Sequence, residues 1–103
     1  MKMYVLVRND LYPSQRMVQA AHAVAETLLQ SRHKGWDNGT IVILGVDNIE
    51  ELHDWYDRLC DTQEAHPSCF REPYYDNDMT AISVVCADGD IRELFSELNL
   101  CKI

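Results

Sequence analysis

Glycine and proline are scarce, four and three residues in 103, too few for a flexible linker or a low-complexity segment. No apolar run approaches the ~20 residues of a membrane-spanning helix. The opening run, Met1-Lys2-Met3-Tyr4-Val5-Leu6-Val7, is too short for a secretory signal and is ended by Arg8. A cytoplasmic protein with no membrane partner is therefore expected. The cysteines, Cys60, Cys69, Cys86 and Cys101, form no C-x-x-C pair, which argues against a zinc knuckle or a dithiol redox centre. They read as buried free thiols of a reducing compartment. G-x-G-x-x-G, Walker A, G-x-S-x-G and H-E-x-x-H motifs are all missing. His33, His53 and His66 have no partners at metal-ligand spacing, so neither a metal nor a cofactor is expected.

What is present is an ordinary globular mixture, 47% hydrophobic and 25% charged, in a length suited to a single domain over residues 1–103. The net charge of -8 is unevenly spread. Residues 1–34 carry Lys2, Arg8, Arg16, Arg32 and Lys34 against Asp10 and Glu26, while residues 35–103 carry four basic and fifteen acidic side chains. The acidic part would repel a nucleic acid, and only the first third would attract one.

Met3–Val7 reads as a buried strand. Pro13 and Ser14 announce a long helix to about Ser31, with Ser14 as a cap and Pro13 suited to the first turn. Its apolar positions Met17, Ala21, Val24 and Leu28, with Val18, Ala25 and Leu29, predict the face that packs on the sheet. After a turn at Gly35–Gly39, Thr40–Gly45 is a second strand. Asp47 or Asn48 caps a second helix, roughly Ile49–Thr62, with Ile49, Leu52, Trp55, Tyr56 and Leu59 on one face. His66–Arg71 and Met79–Cys86 are further strands, joined by a polar connection at Tyr74–Asp78. A short helix is expected from Asp90 to about Leu98. The order predicts an α/β domain, a three-layer α/β/α arrangement with a mixed four-stranded sheet and helices on both faces.

Two constellations could carry chemistry. Gln15, Gln19, His22 and Glu26 recur at i, i+4, i+7 and i+11, which aligns them on one helix face beside small alanines. His22 is the member whose side chain suits general acid–base work. The same spacing also describes the solvent face of any amphipathic helix. The second is the loop Phe70–Thr80, which gathers Glu72, Asp76, Asn77 and Asp78 with two tyrosines. Glu72 precedes Pro73 and is held extended. An acidic surface loop would look alike.

The run Tyr4-Val5-Leu6-Val7-Arg8-Asn9-Asp10-Leu11, followed by Val18-Gln19-Ala20-Ala21-His22-Ala23, resembles the opening of type II peptidyl-tRNA hydrolases. Thr80-Ala81-Ile82 and Leu98-Asn99-Leu100-Cys101-Lys102-Ile103 extend the resemblance weakly to the end. It implies hydrolysis of the ester that links a peptide to transfer RNA, with His22 as the base that activates water. Gln19 and Thr80 would orient water or carbonyl, and Glu72 or Asp10 would orient His22. Arg8 and Arg16 would meet phosphates on the side of His22, and Asn9, Gln15 and Asn77 would line the substrate site. Two departures stand out. The family's lysine before the helix falls on Gln15, and its Asp-Ala-Gly-x-Thr-Gln segment is absent, as in short relatives named peptidyl-tRNA hydrolase domain-containing proteins. The expected partner is thus peptidyl-tRNA, with a homodimer allowed for. The rival expectation is a catalytically silent relative that binds a protein or small ligand.

Overall fold

The apolar run Met3–Val7 is buried throughout and lies inside β1 (Lys2–Arg8), flanked by a strand on each side. A computed structural model describes residues 1–62, 65–86 and 93–102. β2 is Ile41–Val46, β3 Ser68–Glu72 and β4 Asp78–Cys86, and the sheet order is β2-β1-β4-β3. β2 runs parallel to β1, and β4 runs antiparallel to both β1 and β3. The expected mixed four-stranded α/β sheet is therefore present.

Side chains along a strand alternate between faces, and β1 shows the consequence. Tyr4 and Leu6 join the cluster of Leu52, Trp55 and Leu59, whereas Val5 and Val7 pack with Ala20 and Ala23. α1 (Pro13–Leu29) therefore covers one face and α2 (Ile49–Asp61) the other. In α2 the apolar periodicity reads correctly, with Leu52, Trp55 and Leu59 buried. Asn48 is its cap, and its Oδ1 accepts from the Glu51 N–H at 2.9 Å. The Glu51 carboxylate in turn accepts from the Asp47 N–H at 2.7 Å, a variant of the capping box. Glu50 and Glu51 in the first turn and Arg58 in the last complement the helix dipole.

α1 starts at Pro13, within the expected bounds, but its cap residue and its end differ from expectation. Tyr12 is its cap residue, without a side-chain cap bond, and Pro13 occupies the first turn, so Ser14 lies inside the helix. A proline at this position already lacks the N–H that a cap would satisfy. The helix ends at Leu29 because Ser31 turns left-handed (φ 56°). The Arg32 N–H then reaches Thr27 O at 2.9 Å and the Ser31 N–H reaches Leu28 O at 3.1 Å, a Schellman closure.

Three smaller corrections concern the connections. Pro73–Tyr75 forms one 3-10 turn inside the expected polar connection, followed by left-handed Asp76 and Asn77. The start of the helix expected from Asp90 lies outside the described residues, and Phe95–Glu97 is a 3-10 turn. Only Cys86 is buried; Cys69 and Cys101 are half-buried and Cys60 is exposed. Near the end of the chain, Leu100 bridges Leu44 antiparallel, with Gly45 N–H to Asn99 O and Cys101 N–H to Ile43 O both at 2.9 Å. This segment covers the outer edge of β2.

Candidate functional site

The sheet face of α1 is made of Gln19, Ala20, Ala23 and Thr27, all buried. The stripe expected there is reversed: Met17 is 54% and Leu29 78% exposed, and Val18 and Leu28 are exposed too. Val24 alone among the large members packs against the inner cluster. The reason is close approach. Alanines let the helix backbone come down onto β4, and at that distance polar side chains find partners on the sheet. Thr80 donates to Gln19 Oε1 at 2.7 Å. Ser83 donates to Ala23 O at 2.6 Å, which leaves Thr27 as the donor in its bond to Ser83 Oγ.

A β-bulge supplies the Thr80 rung. Phe70 pairs with Ala81 and Arg71 with Met79, so Thr80 is an extra residue on β4. A bulge re-aims side chains locally, and here it sends Thr80 toward α1. Gln19 and Thr80 are brought together as expected. Both are fully buried and satisfied by each other.

His22 is exposed, and its ring stacks on Phe70 of β3 with centroids 4.2 Å apart and planes 6° from parallel. Among the described residues no carboxylate hydrogen-bonds to it. Glu72 stands two residues further along β3 from that Phe70, half-buried, and is extended before Pro73 as its sequence position predicts. Its carbonyl accepts from the Asn77 N–H at 3.0 Å. Asn77 is exposed, and Gln15 Oε1 sits 3.5 Å from Gln19 Nε2.

The remaining expected site residues hold the loop between β1 and α1. Arg8 grips Asp10 through two bonds of 2.9 Å and reaches Met79 O at 3.3 Å. Asp10 thus orients Arg8, not His22. Arg16 donates to three backbone carbonyls: Leu11 at 2.8 Å, Lys102 at 2.7 Å and Asn9 at 2.6 Å. Six helical residues separate Arg16 from His22, about 120° of rotation, so the two do not share a face. Asn9 packs over Gly45, where a Cβ would come within 2.5 Å of its amide.

The Arg8 guanidinium hydrogen-bonded to Asp10 holds that carboxyl below the ordinary Asp range, against a smaller opposing effect of burial. A folded-state value below the unfolded one stabilises above the unfolded pKa, and the gain is lost as pH falls through the folded pKa. Urea midpoints should therefore drop in the parent as pH falls below about 4, the ordinary Asp range. Asp10→Asn should show a smaller drop across the same window, the difference being small because the pair is part-exposed. Identical acid profiles would contradict this role for Asp10.

Two cavities lie at the opposite end of α1 and share Arg32 and His66. The smaller, about 160 Å³, reaches toward Tyr56 and Cys60. The larger, about 550 Å³, has Arg32, Lys34 and His66 around it and Met1 and Val85 as apolar walls. No carboxylate lines either among the described residues. Arg32 is steadied by a 2.7 Å bond to Pro67 O. Sequence reasoning missed this site, because Arg32 and Lys34 come from the connection after α1 and His66 from the one before β3, with no motif spacing. The one signal was the basic excess of residues 1–34.

The chain matches no protein-family profile, and no curated protein is significantly similar to it. Among solved structures it resembles a protein of unknown function from Agrobacterium tumefaciens strain C58, with a TM-score of 0.72 and 15% identity. The alignment covers 98% of this chain and 97% of the other. At that identity the likeness establishes a shared fold and nothing about chemistry.

Proposed function

We propose that this domain is a ligand-binding module whose larger cavity takes a small organic anion, built on a frame that resembles type II peptidyl-tRNA hydrolases. One observation carries the proposal: in a chain of net charge -8, a cavity of about 550 Å³ is lined by Arg32, Lys34 and His66 without a described carboxylate. That volume lies within the range of small-molecule sites. An arginine held by one bond keeps further N–H groups for a carboxylate or phosphate. The apolar walls suit a ligand with a hydrocarbon or aromatic body.

The second reading is ester hydrolysis of peptidyl-tRNA at His22, favoured by the accessibility of that imidazole. Against it, three of the groups meant to assist are committed elsewhere: Gln19 to Thr80, Asp10 to Arg8 and Arg16 to three carbonyls.

Titration with 1-naphthyl phosphate and 2-naphthoate, followed by amide chemical shifts, should perturb residues 31–35 and 66. The neutral 2-naphthalenemethanol should bind at least ~10-fold more weakly, as should both anions in Lys34→Gln, the scale of losing one charge-assisted hydrogen bond. Equal binding of the neutral compound would defeat the anion assignment. In parallel, N-acetylaminoacyl-tRNA should be hydrolysed no faster than in buffer. Turnover that falls by ~10²-fold or more in His22→Ala, the cost of losing a general base, would replace the binding reading with the hydrolase.

A further inference from the structure

We infer that the outer face of α1 is the twofold interface of a homodimer in which two α1 helices pack antiparallel. Because the helix rests on its sheet through alanines and hydroxyls, its large apolar side chains other than Val24 are left outside. Val18, Ala21, Ala25 and Leu28 recur at alternating spacings of three and four, the period of a helix–helix seam. All four are exposed, and Met17 and Leu29 flank them, also exposed. Together they make an apolar patch on the order of several hundred Å², the scale at which such surfaces mark association sites.

The order of residue sizes selects the occupant. About position 23 the exposed apolar residues form a palindrome: Met17 mirrors Leu29, Val18 mirrors Leu28 and Ala21 mirrors Ala25. A twofold interface must be self-complementary, each residue i meeting j while j meets i. An antiparallel pair centred there sets alanine on alanine where the helices cross and large side chains on large ones at both ends. A partner of another sequence would need no such mirror.

Charge points the same way. α1 has no acidic residue in its first turn and no basic residue in its last, so both dipole ends lack compensation within the helix. An antiparallel copy places its negative pole beside the positive one, and the reverse at the other end. Two copies together bury only about the ~1,000 Å² at which specific interfaces begin, so the dimer is a reversible one.

Sedimentation velocity on the intact chain from about 1 to 500 µM should show a monomer–dimer equilibrium. Val18→Glu should raise the dimer dissociation constant at least ~10-fold, since it places a carboxylate in the apolar seam. The same change improves intrinsic helix propensity, so far-ultraviolet circular dichroism should remain unchanged. A second experiment reads the register. In a Cys60→Ser background, Ala21→Cys combined with Ala25→Cys should give a disulfide-linked dimer on mild oxidation, while either single change should not. A monomer at every concentration, a dimer indifferent to Val18→Glu, or cross-linking by the single variants as efficient as by the double would each overturn the inference.

Discussion

Replacing Thr80 by valine should destabilise the protein by about 1–3 kcal/mol, because Gln19 Oε1 is then buried without a donor. Thr80→Val together with Gln19→Leu should recover much of that loss, since removing both partners leaves no orphaned polar atom. Urea denaturation of the two single variants and the double variant closes the cycle, and a coupling of ~1 kcal/mol or more is expected for neighbours that share a bond. Additive losses would mean that each side chain acts alone. The result also bears on function. A glutamine and a threonine that serve each other in the interior have no surface left for water or carbonyl, so their role is to seat α1.

Arg16→Lys should lower stability by about 2–3 kcal/mol although the charge is kept. A planar guanidinium can reach the three carbonyls of Asn9, Leu11 and Lys102 at once, and an ammonium on a flexible stem cannot. Bonds from a charged donor are worth roughly 1.5–3 kcal/mol each, and losing them uncovers acceptors at the loop and the chain's end. If Arg16 instead served only as a phosphate contact, lysine would be a mild replacement and thermal stability would stay put. Thermal unfolding of parent and variant decides between the two.

Both substitutions touch the helix whose orientation the sequence misrepresents. The strands announce themselves as apolar runs, and Asn48 marks the start of α2, whose apolar face does turn inward. In α1 the same rule points the wrong way. Its inner face includes Gln19 and Thr27, whose partners Thr80 and Ser83 are 61 and 56 positions distant along the chain. Local periodicity cannot register a polar side chain that is satisfied from so far away. The bulge at Thr80 is equally hidden, because nothing in Met79-Thr80-Ala81 distinguishes a regular strand from one with an inserted residue. Arg8 and Arg16 were visible as cations, but their partners were not. The cavity around Arg32 and His66 exists only once the end of α1 and the segment before β3 are adjacent.

The strand order has a consequence for how the molecule is made. During synthesis β1 emerges first, yet of its two sheet neighbours only β2 follows soon after. Its antiparallel partner β4 is added near the other end of the chain, in the register Lys2 to Cys86 and Val7 to Ala81. Until then Met-Tyr-Val-Leu-Val, apolar and β-prone, presents an open hydrogen-bonding edge, the kind of segment that pairs with other chains. Folding must wait for this long-range closure, which slows it relative to a helical bundle of similar length. A nascent chain stalled between β2 and β4 is therefore the species most exposed to aggregation.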